Sequence, residues 1–161
     1  MIIEFSKEHE KVRTPTRSNP SDAGLDVYAN LPKSVTIEPG QNTLVPTGVR
    51  FGIPHGYMLQ VCNRSSMGAK RSLIVGAHII DSGYAGEVFI DLHNIGDTSQ
   101  TIENGDKIAQ VVMAPVVNFR LAQTSKSGLY REKITISGRG QGALGSTDGD
   151  HPLSGFPVGG F

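Results

Sequence analysis

The chain has no tryptophan, one cysteine, and only 6% aromatic residues in 161. A single thiol, Cys62, excludes an internal disulfide framework and a zinc site built from cysteines, and it suits a reducing compartment. Cys62 itself reads as a small buried hydrophobe. No apolar run approaches the length of a membrane span, and Met1-Ile2-Ile3-Glu4-Phe5 is too short for a signal sequence. The expected setting is cytoplasmic, with no membrane partner. Charge of one sign is lacking as well: 15 Lys and Arg stand against 15 Asp and Glu, so no summed field draws in nucleic acid. Nucleic acid is therefore not an expected partner, and any anionic ligand has to be met by local groups. Long helical periodicity is missing too, while the length suits one domain with its own core.

What is present is a succession of short strands and turns. Ile2 to Phe5 has strand residues, and Lys7 to Asn19 is polar and ends in prolines that favour an extended path. In Leu25-Asp26-Val27-Tyr28-Ala29 the apolar residues share one face, while Asp26 and Tyr28 share the other. Between Pro32 and Pro54, strands alternate with Pro-Gly punctuation. Tyr57 to Cys62 is a further strand that leads into Asn63-Arg64-Ser65-Ser66, read as a single helical turn opened by the serines. That turn reads either as an ordinary cap with a surface Arg or as a seat for phosphate. Glu87 to His93 alternates cleanly, with Val88, Ile90 and Leu92 against Phe89, Asp91 and His93. Lys107 to Val117 reads as an apolar strand pair broken at Pro115, with Gln110 as a lone amide. Ile134-Thr135-Ile136 is expected to be the last strand.

Chemistry concentrates in two places. His78-Ile79-Ile80-Asp81-Ser82-Gly83-Tyr84-Ala85-Gly86-Glu87 reads as a tight hairpin with a carboxylate at its mouth. Alone, Asp81 reads as a turn residue bonding its own backbone. Near the carboxy terminus, Gly140, Gly142 and Gly145 have the spacing of a dinucleotide fingerprint, but the remaining chain cannot supply the βαβ unit that fingerprint requires. What survives is a Gly-rich loop whose N–H groups, with Arg139, Ser146 and Thr147, suit an anion. A disordered tail is the competing reading.

Taken in order, Ala23-Gly24-Leu25-Asp26, Asn63-Arg64-Ser65-Ser66, Ile80 to Glu87, Gly105-Asp106-Lys107-Ile108-Ala109-Gln110 and Arg139 to Thr147 resemble the five motifs of the trimeric dUTP diphosphatase (dUTPase) family. The likeness covers about residues 15 to 148 and is far more specific than any one motif. It implies an all-β, jelly-roll-like barrel with one short helical turn, spanning 1–137, and a mobile carboxy-terminal arm and tail over 138–161. It also implies a homotrimer with shared sites that converts dUTP, a deoxynucleoside triphosphate, to dUMP and pyrophosphate. By that resemblance Asp81 activates the attacking water and Tyr84 packs on the deoxyribose; His78 and Ile80, in the same stretch, are counted with the substrate-binding residues. Arg64, Ser65, Ser66 and Gln110 hold phosphates. Asp26 helps to hold a hydrated Mg²⁺ through water, together with the phosphates. Arg139, Gly142, Leu144, Ser146 and Thr147 belong to the arm that closes over the substrate.

Departures from the pattern bear on the base. His78 stands where the family usually has Gly, Asp91 where it has a neutral residue, and Ala143-Leu144 where it has Gly-Phe. Loss of that ring forgoes about 0.5 to 1.5 kcal/mol of stacking. The related dCTP deaminases carry a similar Ala-His and a Glu at the position of Asp91, so deamination or a broadened pyrimidine specificity is the alternative. A non-catalytic nucleotide-sensing or partner-binding protein is a third reading. If His78 and Asp91 reach the base, they weaken discrimination against dCTP; if neither reaches it, they leave the base preference unchanged.

Overall fold

The computed structural model describes residues 1–129. The chain divides into two compact units, Met1–Phe119 and Arg120–Phe161. Within the second, the described residues contain one 3₁₀ turn, Lys126–Gly128. The expected last strand, the boundary at 137/138 and the arm all lie outside the described residues.

The first unit is all-β apart from one short helix. Its elements are β1 (Glu4–Lys7), β2 (Leu25–Tyr28), β3 (Val35–Ile37), β4 (Asn42–Pro46), β5 (Val49–Gly52), β6 (Tyr57–Cys62), α1 (Ser65–Arg71), β7 (Leu73–Val75), β8 (Ile79–Asp81), β9 (Phe89–Asn94), β10 (Gln100–Ile102) and β11 (Lys107–Pro115). Every ladder among them is antiparallel. The sheets run β2-β11-β6-β8, β4-β9-β7, β1-β5 and β3-β10. No helix among the described residues is long and apolar enough to cross a membrane.

Period-two patterning builds the core. Val88, Ile90 and Leu92 are buried, while Phe89 on the opposite face is exposed and Asp91 and His93 are half-buried. Val27, Ala29, Ile37, Leu59, Val61, Leu73, Ile102 and Ile108 complete the same apolar cluster. Burial of each such side chain contributes about 1.5 to 3 kcal/mol. In β2 the polar face is buried too: Asp26 is 8% exposed and Tyr28 is 4% exposed. Tyr28 is covered there by the Arg13 guanidinium, 4.0 Å above its ring.

Several elements differ from the sequence reading. The helical turn is a seven-residue helix with Arg64, not a serine, at the N-cap, and no side chain caps it. Met67 is its only buried residue, so its stability comes from its ends. Lys70 and Arg71 complement the last turn, and Ser72 closes it in a left-handed conformation. Arg71 ties that end to Gln100, Thr101 and Asp106. The expected strand pair after Gly105 is one strand, β11, that ends at Pro115 and carries a register shift between Lys107 and Ala109. Cys62 is half-buried, because it ends β6 rather than sitting in its centre. β10 is too short to show a strand pattern of its own, and it gains its partner only from β3.

The stretch around Asp81 is a turn but not a paired hairpin. Tyr84 N donates to Asp81 O at 3.2 Å, and Gly83 takes φ +88°, a conformation that a side chain would strain. The flanking strands then diverge: β8 pairs with β6, whereas β9 pairs with β4 and β7.

Candidate active site

Two polar groupings stand at opposite corners of the four-stranded sheet. The first is at the end of β8, on the sheet edge. Asp81 is exposed, and among the described residues its carboxylate makes no hydrogen bond or ion pair. A cavity of about 210 Å³ opens beside it, lined by Ile79, Ile80, Asp81, Tyr84, Glu87, Val88 and Phe89. This gap exists because β8 and β9 part after the turn. The β7 ladder reaches β9 only at Leu92, so the Phe89 end of β9 has a strand on one side alone. Tyr84 forms one wall, its hydroxyl donating to Glu87 O at 2.9 Å, which fixes the ring. A second hollow of about 240 Å³ lies on the other side of Asp81, bounded by His55, Gly56, Tyr57, Ser82, Val116 and Asn118.

The second grouping surrounds Asp26 on β2. Arg64 Nε donates to Asp26 Oδ1 at 2.9 Å, and Lys107 Nζ lies 2.6 Å from Asp26 Oδ2. Ser18 Oγ is 3.3 Å from both Oδ2 and Lys107 Nζ. Arg64 Nη1 also reaches Ser66 Oγ and Lys107 O, each at 3.3 Å. Burial pushes the Asp26 pKa upward, but the Lys107 hydrogen bond and the charges of Arg64 and Lys107 outweigh it and hold the carboxyl below its usual range. Gln110 stands opposite both Asp26 and Cys62 in the ladders, and its Nε2 donates to Asn63 O at 2.9 Å. Gly24 permits that packing: a Cβ there would lie 2.5 Å from Gln110 Oε1.

The sequence-selected residues thus fall into separate sets. Arg64, Ser66, Gln110 and Asp26 come together, with Ser65 at the first position of α1, while Asp81, Ile80 and Tyr84 come together elsewhere. Asp81 is paired opposite Met58 at the start of β6, and Gln110 opposite Cys62 at its end. At about 3.3 Å per residue and 4.8 Å per strand, Asp81 and Asp26 are about 13 Å apart along the strands and about 14 Å apart across them.

His78 and Asp91 do not line the cavity. The His78 Nδ1 lies 2.9 Å from Val61 O, and Asp91 is engaged by Asn42 and His93, each at 2.9 Å. The Asn42 hydrogen bond and the His93 contact hold the Asp91 carboxyl below its usual range, against the opposing effect of burial. Arg139, Gly142, Leu144, Ser146 and Thr147 lie outside the described residues. Lys107, Ser18 and Phe89 were missed by sequence reasoning. For Lys107 the available signal was the pair of consecutive apolar residues, Ile108-Ala109, that separates it from Gln110.

A family model described as dUTPase matches residues 10–143. The deoxyuridine 5'-triphosphate nucleotidohydrolase of Chlamydia muridarum is 35% identical over 145 residues, 89% of this chain and 96% of that protein. That of Desulfotalea psychrophila is 38% identical over 143 residues, 88% and 91% of the respective chains. Among solved structures, a mutant of the Staphylococcus bacteriophage 80alpha dUTPase with dUpNHpp superposes with a TM-score of 0.78 at 25% identity, covering 91% of this chain and 98% of the other. A mutant of the phage phi11 dUTPase of S. aureus, described for its coordination of a structural Mg(II) ion, gives 0.72 at 25% identity, with coverage of 78% and 98%.

Proposed function

We propose that this chain, which belongs to the dUTPase family, hydrolyses dUTP to dUMP and pyrophosphate with Asp81 as general base. The observation that carries the assignment of the base is the exposed, unpaired Asp81 carboxylate at the edge of the cavity walled by Tyr84. A pyrimidine in that gap meets the free backbone edge at Phe89, and the fixed Tyr84 ring crowds the sugar, where a ribose hydroxyl has no room. Asp81 takes a proton from water; the water oxygen attacks the α-phosphorus, and the bond to the β-phosphate oxygen breaks to release pyrophosphate. Arg64, Ser65, Ser66 and Gln110 take the phosphates in this reading; Arg139, Gly142, Leu144, Ser146 and Thr147, which the resemblance counts with the substrate-binding residues, lie outside the described residues.

A protein-held metal does not fit the described residues. They contain no grouping of three or more His, Cys, Asp or Glu side chains, and both Asp26 oxygens face cations. Mg²⁺ keeps its waters and is readily carried by phosphate oxygens, so in this reading it enters with the triphosphate and neutralises charge there. No step of the proton transfer is assigned to it.

The distance between the two groupings supports a shared site. One triphosphate cannot touch Asp81 and Arg64 of the same chain across that sheet, whereas a second copy can supply the missing half. Each site in this reading combines the Asp81 end of one chain with the Arg64 end of another; the homotrimer and the cytoplasmic setting follow the family resemblance. The deaminase alternative is not favoured, since Asp91 stands outside the cavity. Incubation of the purified protein with each deoxynucleoside triphosphate, scoring pyrophosphate and ammonia separately, tests the assignment: pyrophosphate from dUTP is expected, and ammonia from dCTP would replace it with deamination.

A further inference from the structure

We propose that Lys107 is a phosphate-binding residue and that Asp26 is the counter-ion holding it beside Arg64, rather than a ligand of a metal, water-mediated or direct. The inference rests on the dUTP reading and deepens it. Asp26 brings two cations onto its two oxygens, leaving one net positive charge in the grouping. Free donors remain on both. An ammonium has three N–H groups, of which Asp26 and Ser18 engage two. Among the described residues, Arg64 Nη2 has no partner, because Nε and Nη1 make all of its hydrogen bonds. Both cations are anchored on the two oxygens of one carboxylate, so their remaining donors belong to a single grouping.

Both side chains remain accessible, 34% exposed for Lys107 and 25% for Arg64. A phosphate can therefore approach without unpacking the sheet. A dication approaching Asp26 meets two positive charges first and must displace one of them, an arrangement that opposes metal ligation. Lys107 is suited to anions instead, because its flexible stem presents a point charge that can be shared between Asp26 and a phosphate oxygen.

Isothermal titration of the full chain with the α,β-imido analogue of dUTP and with dUMP, each with and without Mg²⁺, tests the assignment. Lys107→Met is expected to weaken the analogue at least about tenfold without Mg²⁺, the loss of one charge-assisted hydrogen bond. It should change dUMP by less than about twofold, and Lys107→Arg should restore the analogue. Lys107→Gln, which keeps a donor to Asp26 without the charge, serves if Lys107→Met fails to fold. In Asp26→Asn the ratio of analogue affinities with and without Mg²⁺ should match the parent. Equal losses for both ligands, no loss, or collapse of that ratio in Asp26→Asn would overturn the proposal. Failure of the dUTP reading is separate, since it shows in the parent chain as no pyrophosphate from dUTP.

Discussion

Asp26 and Asp81 sit on the two edge strands of one sheet, and they differ in nearly every respect that governs carboxylate chemistry. Asp26 is 8% exposed and neutralised by Arg64 and Lys107; Asp81 is exposed, and its carboxylate makes no hydrogen bond or ion pair among the described residues. A carboxylate with both oxygens engaged by cations is a weak base, whereas one with free lone pairs beside a cavity can accept a proton. In the proposed reading the same residue type serves charge storage at one corner and proton abstraction at the other. Environment, not identity, separates the roles.

The sharpest way to break this contrast is Asp81→Asn. It should lower kcat by about 10²- to 10⁴-fold while binding of the imido analogue persists. Turnover at the parental rate would reduce Asp81 to a turn residue. Next in size is complementation between the two corners. Asp81→Asn and Arg64→Met are each expected to be nearly inactive alone, but chains mixed and reassembled should recover about one quarter of parental activity, the product of two independent one-half chances in a symmetric assembly. A mixture as inactive as its parts would place each site within one chain.

Acid unfolding compares the carboxylates through stability. Because the folded-state pKa of Asp26 is depressed, its contribution is fully present above about pH 4 and is lost as pH falls through the folded value. Urea denaturation at pH 7 and pH 3 should therefore show a smaller fall for Asp26→Asn than for the parent, and an equal fall would deny the ion pairs their role. The smallest effect concerns the base. Since neither side chain lines the cavity, His78→Gly and Asp91→Val should leave the kcat/KM ratio of dUTP to dCTP within about twofold. A larger change in either would bring that side chain back to the base edge.

Much of this was legible in the chain. The alternation of Val88, Ile90 and Leu92 assigned β9 its buried face, because side chains in a strand must point to opposite sides. The turn after Asp81 was legible from Ser82-Gly83, since only glycine adopts φ +88° without strain. The pairing of the strands on either side was not, because whether they meet or diverge depends on partners far along the chain.

The residues around Asp26 mark where local pattern ends. Strict alternation puts Lys107 and Gln110 on opposite faces of β11. Instead the register shifts between Lys107 and Ala109, the consecutive residues Ile108 and Ala109 are both fully buried, and Lys107 and Gln110 line up with Tyr28 and Asp26 on one face. Composition and spacing alone determined a chain of short strands and many of its core-facing positions, since each follows from local stereochemistry, whereas the residues assigned to phosphate chemistry came from the ordered motifs and the resemblance they carry. Which of those residues meet, and that Asp81 lies a sheet's width from Asp26, was decided by strand pairing and one bulge, interactions between segments 20 to 90 residues apart whose register no local pattern encodes.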